Sequence, residues 1–117
     1  MTTTTKQNPN IMNGNKPKKV FVSLPITGRE EAARQEARMA KERLVEQGYE
    51  VVTPFECAPE PGRHIGYYIG RCIEALLQCD AICQKPRSES AGCRLESCAT
   101  SLYNLQRISW PLENPQV

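Results

Sequence analysis

Three short apolar runs, Val20-Phe21-Val22, Val51-Val52 and Ala81-Ile82-Cys83, are separated by stretches with helical rather than strand periodicity. That alternation constrains the fold more than any other feature. A strand that is apolar at consecutive positions needs cover on both faces, and an intervening helix returns the chain for another parallel strand. After the first run, Ala33, Ala37, Ala40 and Leu44 recur at spacings of four and three, with Glu30, Arg34, Arg38 and Glu42 on another side. Residues 29–47 therefore read as a helix, stopped by Gly48. Its alanine stripe suits close packing on a sheet, and pairs such as Glu30 with Arg34 make the outer side a solvated one.

Glu50 to Thr53 reads as the second strand, ended by Pro54, and Phe55 to Arg63 as a loop. Helical spacing returns from Ile65 to Gln78, with Ile65, Ile69, Ile73 and Leu76 or Leu77 on one face. Asp80 to Gln84 is the third strand, with Asp80 a structural residue at its start. A third helix begins at Ala91, with Leu95, Cys98, Ala99 and Leu102 expected to face inward. Arg107 to Trp110 reads as a last short strand, where Trp110 closes the core. The order β-α-β-α-β-α-β predicts an α/β fold, a small parallel sheet with helices on both faces and right-handed crossovers.

A chain of 117 residues has room for one such domain. Residues 1–17 are rich in Thr, Asn and Lys and read as a disordered tail, 18–110 as the folded domain, and 111–117 as a C-terminal tail. The net charge of +2 is too small to argue for nucleic acid or an anionic membrane surface. No apolar run reaches transmembrane length, and the start, Met1 to Lys6, lacks the apolar centre of a signal peptide, so cytoplasmic residence is expected. The cysteines at 57, 72, 79, 83, 93 and 98 form no Cys-x-x-Cys pair, and His64 is the single histidine. That pattern favours reduced core thiols over a zinc site, and no metal or cofactor is expected.

Chemistry is expected where loops leave the carboxyl ends of the first and third strands, which such a sheet brings together. Those loops offer hydroxyls from Ser23, Thr27, Ser88 and Ser90, backbone amides near Gly28 and Gly92, and the carboxylate of Glu96. Helix-start amides favour an anion such as phosphate, and a carboxylate beside them can attack a sugar carbon. The plainer reading of the same loop is N-capping plus a solvated charge. Tyr67, Tyr68, Arg71 and Arg94 are secondary ligand candidates, and His64 reads as an exposed loop residue.

Val22-Ser23-Leu24-Pro25-Ile26-Thr27-Gly28, Leu76-Leu77-Gln78-Cys79-Asp80-Ala81 and Ser90-Ala91-Gly92-Cys93-Arg94-Leu95-Glu96 resemble, in order, the nucleoside 2-deoxyribosyltransferase superfamily. The similarity covers residues 19 to 110 and extends more distantly to the 2'-deoxynucleoside 5'-phosphate N-hydrolases. It implies a flavodoxin-like or Rossmann-like domain, assembled as a homo-oligomer, with a nucleoside or nucleotide as its small-molecule partner. It implies cleavage or transfer of an N-glycosidic bond, with Glu96 as the nucleophile. Ser23, Pro25, Ile26, Thr27 and Gly28 then surround base and sugar, and Ser90 is the phosphate-binding serine with the Gly92 amide beside it; Ser88 joins the substrate-binding candidates as a hydroxyl of the same loop. One position departs from the pattern. Where many members carry an aspartate that helps the base to leave, this chain has Cys72. A thiol is a weak general acid, and loss of a placed acid costs on the order of a hundred- to ten-thousand-fold in rate. A catalytically impaired nucleotide-binding module is the alternative.

Overall fold

The computed structural model describes residues 16–113; residues 1–15, most of the expected N-terminal tail, and 114–117 lie outside the described residues. Its elements in chain order are β1 (Lys19–Ser23), α1 (Glu30–Glu46), β2 (Glu50–Val52), α2 (Pro54–Cys57), α3 (Ile65–Leu77), β3 (Ala81–Gln84), α4 (Ala91–Leu102) and β4 (Gln106–Arg107). They form a four-stranded sheet in the order β2-β1-β3-β4. All pairings are parallel: Phe21 lies beside Val52 and Ile82, Ser23 beside Gln84, and Ala81 beside Gln106. This is a flavodoxin- or Rossmann-like α/β fold.

Alternation along β1 divides the core. Val20 and Val22 turn toward α1 and pack with Ala33, Ala37, Ala40, Leu44, Val51, Ala81 and Cys83. Phe21 turns the other way, toward Cys72, Leu76, Cys79 and Ile82, with Ala75 and Ala99 packed alongside. The small alanine side chains let α1 lie close on the sheet. Truncating a fully buried anchor such as Leu44 to alanine costs about 2–5 kcal/mol. Ile108, Trp110 and Leu112 pack on the α1 side, so the packed chain runs on past residue 110. Among the described residues, no helix is long and apolar enough to cross a membrane.

The expectations need four corrections. The loop expected over 55–63 begins with the short helix α2. Pro54 presets the first helical φ, and the Glu56 carboxylate accepts from the Thr53 N–H at 3.0 Å. The last strand is Gln106–Arg107 rather than 107–110, because the two residues that pair with β3 precede the apolar ones. On α3 the buried side chains are Cys72 and Leu76, whereas Ile65 and Leu77 are exposed. On α4 the buried face is Cys93, Glu96 and Thr100, with Leu95 and Leu102 outward at 47% and 72% exposure and Cys98 also exposed. Choosing the face by hydrophobicity alone rotates α4, since two of its three buried side chains are polar and bonded inside the fold.

Two devices fix the ends of the strands. Asp80 is fully buried, and its Oδ2 accepts from the backbone N–H groups of Lys18 at 2.7 Å and Lys19 at 2.9 Å, tying the start of β3 to that of β1. At the opposite ends, Glu36 on α1 accepts from Arg29 at 2.7 Å and from Lys85 at 2.9 Å. One carboxylate thus joins the loops that follow β1 and β3. Burial pushes Glu36 up, but the bonds from Arg29 and Lys85 outweigh it and hold the carboxyl below its usual value.

Candidate functional site

β1 lies between β2 and β3, so the chain leaves it first to one side and later to the other. Ligand crevices of open α/β sheets form outside the carboxyl ends of the strands at such a reversal. Ser23 ends β1 there, and Gln84 ends β3 directly beside it. Both occupy positions alternate to Val22 and Cys83, so they face α4 rather than α1.

Glu96 comes down from α4 onto this pair. It is 7% exposed, and its Oε1 accepts from the Ser23 hydroxyl at 2.6 Å. Gln84 Nε2 donates to Ser23 Oγ at 2.9 Å and to the carbonyl of Cys93 at 2.9 Å. A directed chain therefore runs from amide to hydroxyl to carboxylate. With its oxygen accepting from Gln84, the Ser23 proton is turned toward Glu96. Cys93 completes the wall, its Sγ 3.7 Å from Ser23 Oγ. Burial pushes the Glu96 carboxyl up to about 7, against the Ser23 hydrogen bond, which pulls it down. A buried carboxyl poised near neutrality at the strand ends is suited to proton transfer or, once ionised, to nucleophilic attack.

The remaining loop residues divide by what their polar groups already do. Ser90 caps α4 and accepts from the Cys93 N–H at 3.3 Å, while the Arg94 N–H bonds the Ser90 carbonyl. The N–H groups of Ala91 and Gly92 point out of the helix start, as first-turn amides do. A Cβ added to Gly92 would meet nothing within 4 Å, so a ligand can approach that backbone. Ser88 instead donates to the Lys85 carbonyl at 2.6 Å, which holds the turn through Arg87, a residue at φ 62. With a side chain in the left-handed region, that turn is strained and depends on such bonds. Ser88 lines an open hollow of about 350 Å³ together with Gln84, Lys85, Arg87, Glu89 and Arg107. Glu96 and Ser90 do not line it.

In the loop after β1, Pro25 is half-buried and its carbonyl accepts from Arg29 at 2.6 Å. Ile26 packs on the α1-side core, and Thr27 and Gly28 are exposed, with Gly28 at φ 79. The structure thus gathers Ser23 and Glu96 tightly and sets Ser90 and Gly92 at the start of the same helix. Pro25, Ile26, Thr27 and Gly28 lie in the loop that leaves β1, without a hydrogen bond to Glu96 among the described residues, and Ser88 faces the neighbouring hollow.

Sequence reasoning missed Gln84 and Glu36. A polar residue ending an apolar strand, two positions from the inward-facing Ile82, was the available signal for Gln84. Nothing in the charge pattern distinguishes Glu36 on α1, since it joins Arg29 at the start of its own helix to Lys85, 49 residues further on. The secondary candidates have other duties. His64 caps α3, its Nδ1 accepting from the Gly66 N–H at 3.0 Å. The Tyr68 hydroxyl donates to the Glu60 carbonyl at 2.6 Å and accepts from the Arg63 N–H at 3.0 Å. The Arg63 guanidinium lies over the Tyr67 ring, 4.4 Å from its centroid. Arg71 donates to the Cys57 carbonyl at 2.9 Å, and Arg94 is exposed. Among the described residues, no three His, Cys, Asp or Glu side chains are grouped to hold a metal ion.

No curated protein matches this sequence. Residues 18–106 match the family described as a domain of unknown function, DUF4406, a span running from the residue before β1 to the first residue of β4, and the chain belongs to that family.

Proposed function

We propose that the protein cleaves, or transfers, the N-glycosidic bond of a deoxynucleoside or nucleoside 5'-monophosphate, with Glu96 as the nucleophile. The observation that carries this reading is the buried Glu96 carboxylate, oriented by Ser23 at 2.6 Å, at the carboxyl ends of β1 and β3. The resemblance to the nucleoside 2-deoxyribosyltransferase superfamily supplies the bond type. In the ionised form, Glu96 attacks the anomeric carbon as the base departs through an oxocarbenium-like transition state, and water or a second base resolves the glycosyl-enzyme. Ser23 holds the carboxylate in one rotamer, which reserves the other oxygen for the sugar. We assign a 5'-phosphate to the start of α4, where first-turn amides such as those of Ala91 and Gly92 have no intrahelical acceptor and Ser90 caps the helix.

The test is chromatography of deoxynucleosides and their 5'-monophosphates incubated with wild type and with Glu96→Ala. Free base from wild type alone supports the proposal, and an unimpaired Glu96→Ala removes it.

One observation favours the nucleotide-binding module as a second reading. Cys72 stands where an acid is expected, 7% exposed, with a thiol driven upward by Cys57 and by burial, so it brings no negative charge to an oxocarbenium ion. Under this reading a nucleotide raises Tm while no base appears. The assembly we take to be a homo-oligomer, on the resemblance. Leu95 and Leu102, seven residues apart and so on one side of α4, are apolar surface that self-association would cover.

A further inference from the structure

Cys57 and Cys72 are the one pair of thiols whose Sγ atoms touch among the described residues, 3.8 Å apart, and neither has a part in binding or catalysis above. They differ in access. Cys57, at the end of the four-residue α2, is half-buried, whereas Cys72 is buried behind it on α3. Arg71 donates to the Cys57 carbonyl at 2.9 Å, so a guanidinium stands beside the more accessible sulfur. The chain between them includes Pro59, Pro61 and Gly62 and is exposed over residues 59–66.

We propose that Cys57 and Cys72 form a redox site that reacts with hydroperoxides to give an intramolecular disulfide linking α2 to α3. In the first step the Cys57 thiolate attacks one peroxide oxygen. The O–O bond breaks, the departing oxygen leaves with a proton as water or an alcohol, and Cys57 becomes a sulfenic acid. In the second step Cys72 loses its proton and attacks the Cys57 sulfur. The S–O bond breaks, and the hydroxyl leaves as water after taking up that proton. Two thiols give up two electrons, and one hydroperoxide is reduced.

The environment assigns the two roles. The Cys72 contact, working against burial, draws the Cys57 thiol below its ordinary value; Arg71 adds to this and the Glu96 charge opposes it. Cys72 is raised by the same contact, by burial and by the charges of Cys57, Glu96 and Cys93. Access decides the roles: the half-buried Cys57 is the attacking thiol, and Cys72, buried in contact with it, the resolving one. Cys79 and Cys83 are fully buried and lie outside this thiol contact, so neither the peroxide nor the Cys57 sulfur reaches them. The link closes a loop between residues 15 apart in sequence, so the oxidised chain should melt at a higher temperature.

The full-length protein would be titrated with hydrogen peroxide, its remaining thiols alkylated, and its peptides mapped by mass spectrometry without reduction. The expected product is a Cys57–Cys72 peptide lighter by two hydrogens, with a raised Tm that dithiothreitol reverses. In Cys72→Ser, Cys57 should persist as a sulfenic acid captured by dimedone; in Cys57→Ser, Cys72 should stay reduced. The exposed Cys98 serves as the internal standard. Cys57 remaining a thiol at peroxide levels that oxidise Cys98, or linking to any other cysteine, overturns the proposal. The mapping does not depend on nucleoside turnover, so it stands or falls apart from the role of Glu96.

Discussion

The Ser23 hydroxyl and Glu96 Oε1 lie 2.6 Å apart across 73 residues of sequence, joining the last residue of β1 to the second turn of α4. A bond this short between a hydroxyl and a carboxylate has the strength of a charge-assisted one. It also opposes the effect of burial on the same carboxyl. Ser23→Ala removes the pull and leaves the desolvation. Loss of a hydrogen bond to a charged group is worth about 1.5–3 kcal/mol, so the Glu96 value should rise by at least about one unit. If ionised Glu96 is the nucleophile, kcat/KM for base release rises with pH to a plateau above about 7, and in Ser23→Ala that limb moves upward. A pH–rate profile of both proteins checks this; an unmoved limb would separate the bond from the chemistry.

Stability should carry the same signature. The folded value of Glu96, about 7, lies above the ordinary 4.5. Its contribution is therefore complete below 4.5 and is lost as pH rises through about 7. The shift corresponds to about 3 kcal/mol between acid and mildly alkaline conditions. Glu96→Gln abolishes that titration, so denaturant unfolding should show the variant gaining on wild type by about 3 kcal/mol from pH 4 to pH 8. Glu36 has the opposite sign. Its folded value is lowered, so its contribution is present above 4.5 and lost as pH falls through the folded value. Glu36→Gln should lose stability relative to wild type at neutral pH and recover that difference in acid.

Much of the fold was legible because it depends on local pattern. The alanine stripe of α1 and the apolar runs of β1 and β3 name their partners by periodicity alone, and Ala33, Ala37, Ala40 and Leu44 are buried as their spacing requires. Glu96 was legible as a residue, since it follows a capping serine and a glycine at a strand exit. Its setting was not. Helical phase read from hydrophobicity placed Leu95 and Leu102 inside, whereas the side-chain bonds that hold α4 on the sheet come from Ser23 of β1 to Glu96 and from Gln84 of β3 to the Cys93 carbonyl. Thr100 satisfies its own hydroxyl on the Glu96 carbonyl at 2.9 Å, a bond inside the helix that no apolar pattern signals. Gln84 and Glu36 act across long sequence separations for the same reason.

Leu95 and Leu102 carry a prediction of their own. If the protein self-associates through α4, the double variant Leu95→Lys, Leu102→Lys places two charges in the interface, and sedimentation should show a smaller species with unchanged far-UV dichroism. If that face is merely solvated, surface changes of this kind stay within about 0.5 kcal/mol in stability and leave the sedimentation coefficient as it was.

Asp80 sets the last prediction, at the end of the sheet away from Glu96. Its Oδ2 gathers the N–H groups of Lys18 and Lys19, which precede and begin β1, while its own backbone N–H bonds the Lys19 carbonyl at 2.8 Å. The β1–β3 register begins only at Val20 beside Ala81, so the Asp80 side chain stands in for strand acceptors just ahead of it. Asp80→Ala leaves two backbone donors without acceptors and removes a buried carboxylate, at a cost of about 2–4 kcal/mol. Asp80→Asn keeps an oxygen in place and should recover part of that loss. Because the damage lies at the amino ends of the strands, folded Asp80→Asn should retain whatever ligand affinity or base release the wild type shows. Urea unfolding measures the first effect and an activity or thermal-shift assay the second. Loss of function in a fully folded Asp80→Asn would mean that the two ends of this small sheet are coupled, and that Asp80 acts on the site through β1 and Ser23.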